Sequence, residues 1–448
     1  MRLTLPELSD LETDGFTKND IFGYREFGER FADIVSDINE PLVIALDGPW
    51  GSGKSVFIKQ WAGLIEQRGD SFVYFDAFKN DIHQDAFLAL ASEIYSLARK
   101  NLEGEKSSIE KFLDTAKNVS KALAPMGFHI ALHTGALELL NPEYVNMAKE
   151  TIKTISGEIE NKTEKAFEKV IYDKLKKTKE ERELFESFRE SLKNLSNDIT
   201  KKKKHNHLIF IVDELDRCRP PFALDIIEYI KHLFSVENIC FVLVTNLTHL
   251  GAAIQGAYGG NINDHTYLEK FYQLKVVLPE SDFEYQSQRN TYLIYLWDKL
   301  QPKFEKKEGD DIRDEIRRLA NAHTLSLRQI EHVMRNIVLV AAFSSRLAPS
   351  SLLVTTSLCV MRQTAPKLYA LARENNLSWK EVKDFLKIDK DNDVSNSWRY
   401  ISDPEVSEKI ETQYSGFWRT RFSRLDLPRQ RLLLQRVFTN EIDSLLGG

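Results

Sequence analysis

An apolar run from Leu42 to Asp47 leads directly into Gly48-Pro49-Trp50-Gly51-Ser52-Gly53-Lys54-Ser55, after which Phe57, Ile58, Trp61, Leu64 and Ile65 recur at helical spacing. A strand that turns through glycines straight into an amphipathic helix is a unit of layered folds, in which helices cover a sheet. Four further short runs rich in β-branched or aromatic residues read as buried parallel strands: Phe72 to Asp76, Leu208 to Asp213, Ile239 to Thr245 and Leu274 to Leu278. Helical spacing returns after the third of them at Phe222, Ile226, Ile230 and Leu233. This alternation predicts an α/β fold built on a doubly wound parallel sheet.

At 448 residues the chain has room for roughly two to three domains of about 150 residues each. Residues 77–207 separate the second and third strands, too long a stretch for a simple connection, so an inserted helical subdomain is expected there. Its later part carries two helical stripes: Ala166, Phe167, Val170, Ile171 and Leu175, then Leu184, Phe185, Phe188, Leu192 and Leu195. Past Pro279 helical stripes dominate, as at Ile330, Val333, Met334 and Ile337, with a turn-rich exposed loop expected over Lys387 to Asn396. The predicted organisation is a core in two parts, 1–102 and 206–280, a helical insertion over 103–205 and a C-terminal helical domain over 281–448.

Composition removes several function classes. Lys+Arg number 61 against 67 Asp+Glu, a net charge of −6, which does not favour a nucleic-acid binder. Cys218, Cys240 and Cys359 lie far apart without C-x-x-C spacing, so neither a disulfide framework nor a thiolate zinc site is expected. The N-terminal residues lack the basic and apolar regions of a signal peptide, and a cytoplasmic location is the expectation. Ala122 to Leu140 is the most apolar stretch, but Pro125, His129, His133 and Glu138 within it argue for a buried or partner-facing hairpin over a membrane span. His205 and His207 lack a third ligand for zinc, and Asp76, Asp81 and Asp85 read as a capped, solvated helix start. Lys201 to Lys204 read as a solvated loop. The aromatic and arginine-rich tail from Phe417 to Arg436 reads as a helix docking on its own domain, with base stacking as the alternative.

The glycine-rich segment satisfies G-x-x-x-x-G-K-[ST] between a strand and a helix, the arrangement that cradles a phosphate chain. Gly48, Pro49, Trp50, Gly51, Ser52, Gly53, Lys54, Ser55 and Val56 are the candidate nucleotide-binding residues. The glycines allow backbone N–H groups to converge on phosphate oxygens, Lys54 reaches the β- and γ-phosphates, and the Ser55 hydroxyl ligates Mg²⁺. Asp213, ending an apolar strand, needs a counter-ion, and Mg²⁺ held through water is the natural one. Glu214 is placed to polarise an attacking water, or alternatively to pair with Arg217 or Arg219. Asn246 after the fourth strand either touches the γ-phosphate or caps a helix. Arg328 falls in the first turn of a helix opened by Ser326 and Gln329, where a cation opposes the helix dipole and needs an anion. Either Glu331 supplies it, or Arg328 is a lid residue that meets the γ-phosphate. No N-K-x-D follows a strand, since Asn161-Lys162-Thr163-Glu164 falls in the insertion, which favours ATP over GTP.

These segments, with Asp213-Glu214-Leu215-Asp216-Arg217-Cys218-Arg219-Pro220 and Tyr267-Leu268-Glu269-Lys270-Phe271 before Leu278-Pro279, resemble the KAP family of P-loop NTPases over Ile21 to Ile337. Glu214 departs from the aspartate common in the family, and the insertion, where many members carry transmembrane helices, is mostly charged here. The resemblance implies a P-loop core, an ATP-driven switch acting with Mg²⁺ on a protein effector or through self-association, and a place in bacterial antiphage defence. By the same resemblance Arg217 either pairs locally with Asp216 or serves a neighbouring subunit as an arginine finger. A nucleic-acid motor or loader, and a non-hydrolysing nucleotide-gated scaffold at the membrane, are the rival readings.

Overall fold

The computed structural model describes residues 11–37, 40–82, 85–102, 106–123, 162–258, 267–279, 288–302, 304, 306–343, 349–388, 390–413, 435, 439, 440, 442 and 443. Strands β1 (Leu42–Asp47), β2 (Ser71–Asp76), β3 (Leu208–Asp213), β4 (Ile239–Thr245) and β5 (Leu274–Val277) form a parallel sheet in the order β2-β3-β4-β1-β5. Each predicted run is a strand. The fifth is not buried as expected: it is an edge strand with one face open, and Val277 is 56% exposed.

Alternate residues of the strands feed two separate cores, as period-two side-chain direction requires. On one face Ile44, Leu46, Ile211, Val242 and Val244 meet helices α1 (Arg25–Asp37) and α2 (Lys54–Gln67). There the Trp61 ring stacks on Phe31 with centroids 4.7 Å apart, and its indole N–H donates to the Gly28 carbonyl at 3.0 Å. On the other face Phe75, Phe210 and Phe241 meet α3 (Ala86–Asn101) and α6 (Pro220–Tyr229). Two covered faces make the sheet doubly wound, as its apolar strands implied.

Helices α4 (Lys106–Leu123) and α5 (Lys162–Thr200) belong to the insertion. Phe112, Ala116 and Val119 pack against Phe188, Leu192 and Leu195 in the same core cluster as the second sheet face. Phe188 touches Phe87 and Phe234 with centroids 5.1 and 5.4 Å away, so the insertion is continuous with the sheet's core. Lys201 to Lys204 are exposed in the turn that follows. Among the described residues no helix is long and apolar enough to cross a membrane. Residues 124–140 of the apolar stretch lie outside the described residues.

Helix α7 (Leu247–Tyr258) follows β4. Beyond β5 a third core joins α8 (Gln288–Leu300), α9 (Lys306–Ala322), α10 (Leu327–Phe343), α11 (Pro349–Thr364), α12 (Pro366–Arg373), α13 (Trp379–Leu386) and α14 (Asp393–Ser402) around Leu296, Ile316, Met334, Leu358 and Trp398. The exposed loop expected over Lys387 to Asn396 is cut short, because the Asn392 side chain accepts from Ser395 N–H and starts α14 early. The arginine-rich tail lies outside the described residues apart from Gln435. That side chain is buried, bridging the Leu377 backbone to the Ile401 carbonyl. One contact between the C-terminal helices and the loop after β1 matters most for the site: Leu327 N–H donates to Gly51 O at 3.1 Å.

Candidate functional site

Because β4 lies between β1 and β3, the loop after β1 and the carboxylate ending β3 face each other across the end of β4, the edge at which open α/β sheets bind ligands. Gly51 and Gly53 take φ of 77° and 91°, backbone that side chains rarely adopt. A Cβ added at Gly51 would also fall 3.0 Å from Arg328 Cβ and 3.1 Å from Ser326 Oγ. The glycine there is required both by the turn and by the close approach of α10.

The Lys54 ammonium is folded inward, donating to Gly48 O at 2.5 Å and Pro49 O at 3.1 Å, and only 8% of the residue is exposed. Burial lowers its pKa, against the pull of Asp216, Asp47 and Asp213. The Ser52 hydroxyl is buried with no hydrogen-bond partner, so the loop holds an orphaned donor beside the N–H groups of the first turn of α2, which have no helical acceptors. A loop of donors around a buried cation fits an anion.

Asp213 is 2% exposed and holds three donors: Ser55 Oγ at 3.2 Å, the Glu214 N–H at 2.8 Å and the Tyr74 hydroxyl at 2.7 Å. Burial raises its pKa and these bonds oppose the rise. The Ser55 hydroxyl and the Asp213 carboxylate thus form the kind of oxygen pair that a hard divalent cation takes, with substrate oxygens and water completing its shell. No cluster of three or more His, Cys, Asp or Glu with metal-ligand geometry occurs among the described residues, and a two-ligand site of this kind needs none.

Glu214 has φ 60° and ψ 29°, a left-handed residue that turns the chain into the short 3₁₀ turn Leu215–Arg217. Residues three apart eclipse in such a turn. Accordingly Arg217 pairs with Glu214, Nη2 to Oε1 at 2.9 Å, and not with Asp216 as expected. Asp216 instead accepts from the Trp50 indole N–H, and the Trp50 ring lies flat on His249, centroids 3.9 Å apart at 8°. Burial raises the Glu214 pKa while Arg217 lowers it.

Asn246 caps a helix: its Oδ1 accepts from His249 N–H at 3.2 Å, beside Asp47, which accepts from Leu247 N–H at 2.9 Å. It does not line the cleft. Arg328 does, together with Gly51 to Val56, Asp213 and Glu214. The capping box ahead of it is formed, with Gln329 N–H donating to Ser326 Oγ at 3.3 Å and Gln329 Oε1 accepting from Ser326 N–H at 2.9 Å. The expected Glu331 partner is taken, since Glu331 pairs with Arg335 and accepts from the Tyr292 hydroxyl at 3.1 Å. Arg328 is exposed and makes no hydrogen bond or ion pair with a described residue, which leaves its charge available to the cleft.

The acidic residues after β2 divide. Asp76 and Asp85 cap helices as expected, accepting from Lys79 and Leu88 N–H at 2.9 Å each. Asp81 is not solvated: it is 8% exposed and holds Arg219 through Nε at 3.0 Å and through the backbone N–H at 3.0 Å. His205 pairs with Asp70 at 2.5 Å, far along the sheet from the cleft.

Sequence reasoning missed Tyr74 and an aromatic group at the other end of the cleft, Phe22, Tyr292 and Tyr295. Tyr74 carried one signal, a hydroxyl two residues before the end of a strand. The other three come from segments hundreds of residues apart and carried none.

A family model described as the KAP family P-loop domain matches residues 24–343. No curated protein matches the chain.

Proposed function

Since the chain belongs to the KAP family of P-loop NTPases, a nucleotide-binding family, we propose that it binds ATP with Mg²⁺, hydrolyses it, and uses the cycle to shift its C-terminal helices or its insertion against a partner protein. The observation that carries this reading is Arg328, whose side chain has no hydrogen-bond or ion-pair partner among the described residues and which lines the same cleft as the glycine loop, Lys54 and Asp213. Lys54, Arg328 and the loop N–H groups neutralise the phosphate chain and the charge that moves onto the leaving oxygen. Ser55 and Asp213 would hold Mg²⁺, which would supply further neutralisation of phosphate charge. Glu214 orients a water and accepts its proton as the water oxygen bonds the γ-phosphorus, the bond to the β,γ-bridging oxygen breaks, and ADP and phosphate result.

For that last role Glu214 must leave Arg217, and the existing Glu214–Arg217 pair is the observation that favours a second reading, a nucleotide-gated scaffold that does not hydrolyse. Phosphate release from ATP by the full chain, with and without Mg²⁺, separates the two. A cytoplasmic switch in bacterial antiphage defence, controlling an effector or its own assembly, is the biological reading we attach to the first.

Two substitutions probe the geometry. Arg328→Ala should lower turnover by about 10²-fold, the typical effect of losing one donor to transition-state charge, with an unchanged unfolding temperature because the side chain is exposed. Single-turnover rates and thermal unfolding check both halves. Tyr74→Phe removes one of three donors to Asp213. The Mg²⁺ concentration for half-maximal activity should rise about tenfold, as for other groups that orient a metal ligand, while kcat at saturating Mg²⁺ changes little. A fall in kcat without a shift in Mg²⁺ demand would show that Tyr74 acts elsewhere.

A further inference from the structure

The cleft continues past the glycine loop into the aromatic group. An added Cβ at Gly53 would meet Leu327 Cδ1 at 3.7 Å and Phe22 Cε2 at 3.8 Å, so this wall closes on the loop at Gly53. Phe22 lies 6.2 Å from Tyr292, and the Tyr292 and Tyr295 rings are stacked 6.0 Å apart at 18°. A seam that merely joined the N-terminal segment to α8 would be filled. Here Tyr295 is only partly buried, and the Glu331 side chain stays 21% exposed at the cleft although Arg335 and Tyr292 fix its position.

We infer that Phe22, Tyr292 and Tyr295, with Glu331 at their edge, form the base subsite of this cleft and take adenine. The inference rests on the reading that the triphosphate lies along Gly48 to Ser55. The near-parallel Tyr292 and Tyr295 rings, with Phe22 tilted at 40° beside them, give the cleft partly exposed aromatic faces on which a nucleobase can stack. A carboxylate is acceptor-only, so the base must present a donor. Each Glu331 oxygen already has one partner, Arg335 on Oε1 and Tyr292 on Oε2. Each oxygen keeps a second lone pair, and the exocyclic amino group of adenine, the base of the nucleotide proposed above, is a donor of the kind it accepts. The subsite joins the segment before α1 to helices α8 and α10, so base binding would clamp the C-terminal helices onto the core.

The test measures dissociation constants of the full-length protein for ATP, GTP and inorganic tripolyphosphate, each with Mg²⁺. Tyr295→Ala should weaken ATP by about tenfold or more, from typical base stacking, and leave tripolyphosphate unchanged. Tyr295→Phe should retain ATP affinity, and Glu331→Gln should narrow the preference of ATP over GTP. The proposal is overturned if Tyr295→Ala leaves ATP unaffected or weakens ATP and tripolyphosphate equally, or if the wild type prefers GTP. A folded wild type that binds neither ATP nor tripolyphosphate would bring down the phosphate-loop reading itself, a different failure.

Discussion

Lys54→Ala should weaken ATP binding by at least about a hundredfold. Lys54 is the buried cation of the loop, and its ammonium already sits within hydrogen-bond reach of the Gly48 and Pro49 carbonyls, 2.5 and 3.1 Å away. Removing one partner of a buried charge interaction costs about 3 kcal/mol or more, which is the hundredfold at 1.4 kcal/mol per factor of ten. The direction on stability differs. Burial disfavours the charged form of Lys54, as its lowered pKa records, so losing the side chain should leave the unliganded fold no less stable. Fluorescent-nucleotide titration together with thermal unfolding should show weak binding by a protein that melts normally. An early-melting variant would mean that Lys54 holds the loop together, not the ligand.

The second large effect is Glu214→Gln, for which hydrolysis should fall by about 10²- to 10⁴-fold, the range for loss of a general base, while ATP affinity stays within a few-fold. The Glu214 carboxylate makes no hydrogen bond or ion pair with Lys54 or Ser55. It pairs with Arg217, and its left-handed backbone sets it at the mouth of the cleft. Glutamine keeps the size and can still accept from Arg217, so the turn should survive. The variant should therefore retain nucleotide and any partner that the ATP form recruits. Equal turnover in variant and wild type would take Glu214 out of the chemistry and leave the gated-scaffold reading.

The parts of this site that the sequence discloses are those written within one element. The strand, the glycine turn and Lys54–Ser55 are consecutive, and Asp213 ends an apolar run, so local pattern suffices. The capping box at Ser326 and Gln329 is equally local, and it set Arg328 in its helical turn. What stayed hidden depends on pairing. Tyr74 reaches Asp213 because β2 and β3 align with Asp76 opposite Asp213, a register no single sequence states. The exchange of partners among Glu214, Asp216, Arg217 and Trp50 follows from one left-handed residue, and glutamate gives no hint of that conformation. Asp81 read as solvent-facing because Arg219, the residue just before α6 that it holds, lies beyond the insertion. The same insertion, expected as a subdomain of its own, shares its phenylalanines with the sheet.

The whole reading depends on a triphosphate lying on the loop that ends at Lys54 and Ser55, with Asp213 helping to hold its metal. Equilibrium dialysis of labelled ATP against the full chain, in Mg²⁺ and in chelator, tests it most directly. Binding should be stoichiometric, should weaken when Mg²⁺ is withdrawn, and should lose that dependence in Asp213→Asn. A folded protein that retains no ATP, or one whose affinity ignores both chelation and the Asp213 substitution, would contradict it.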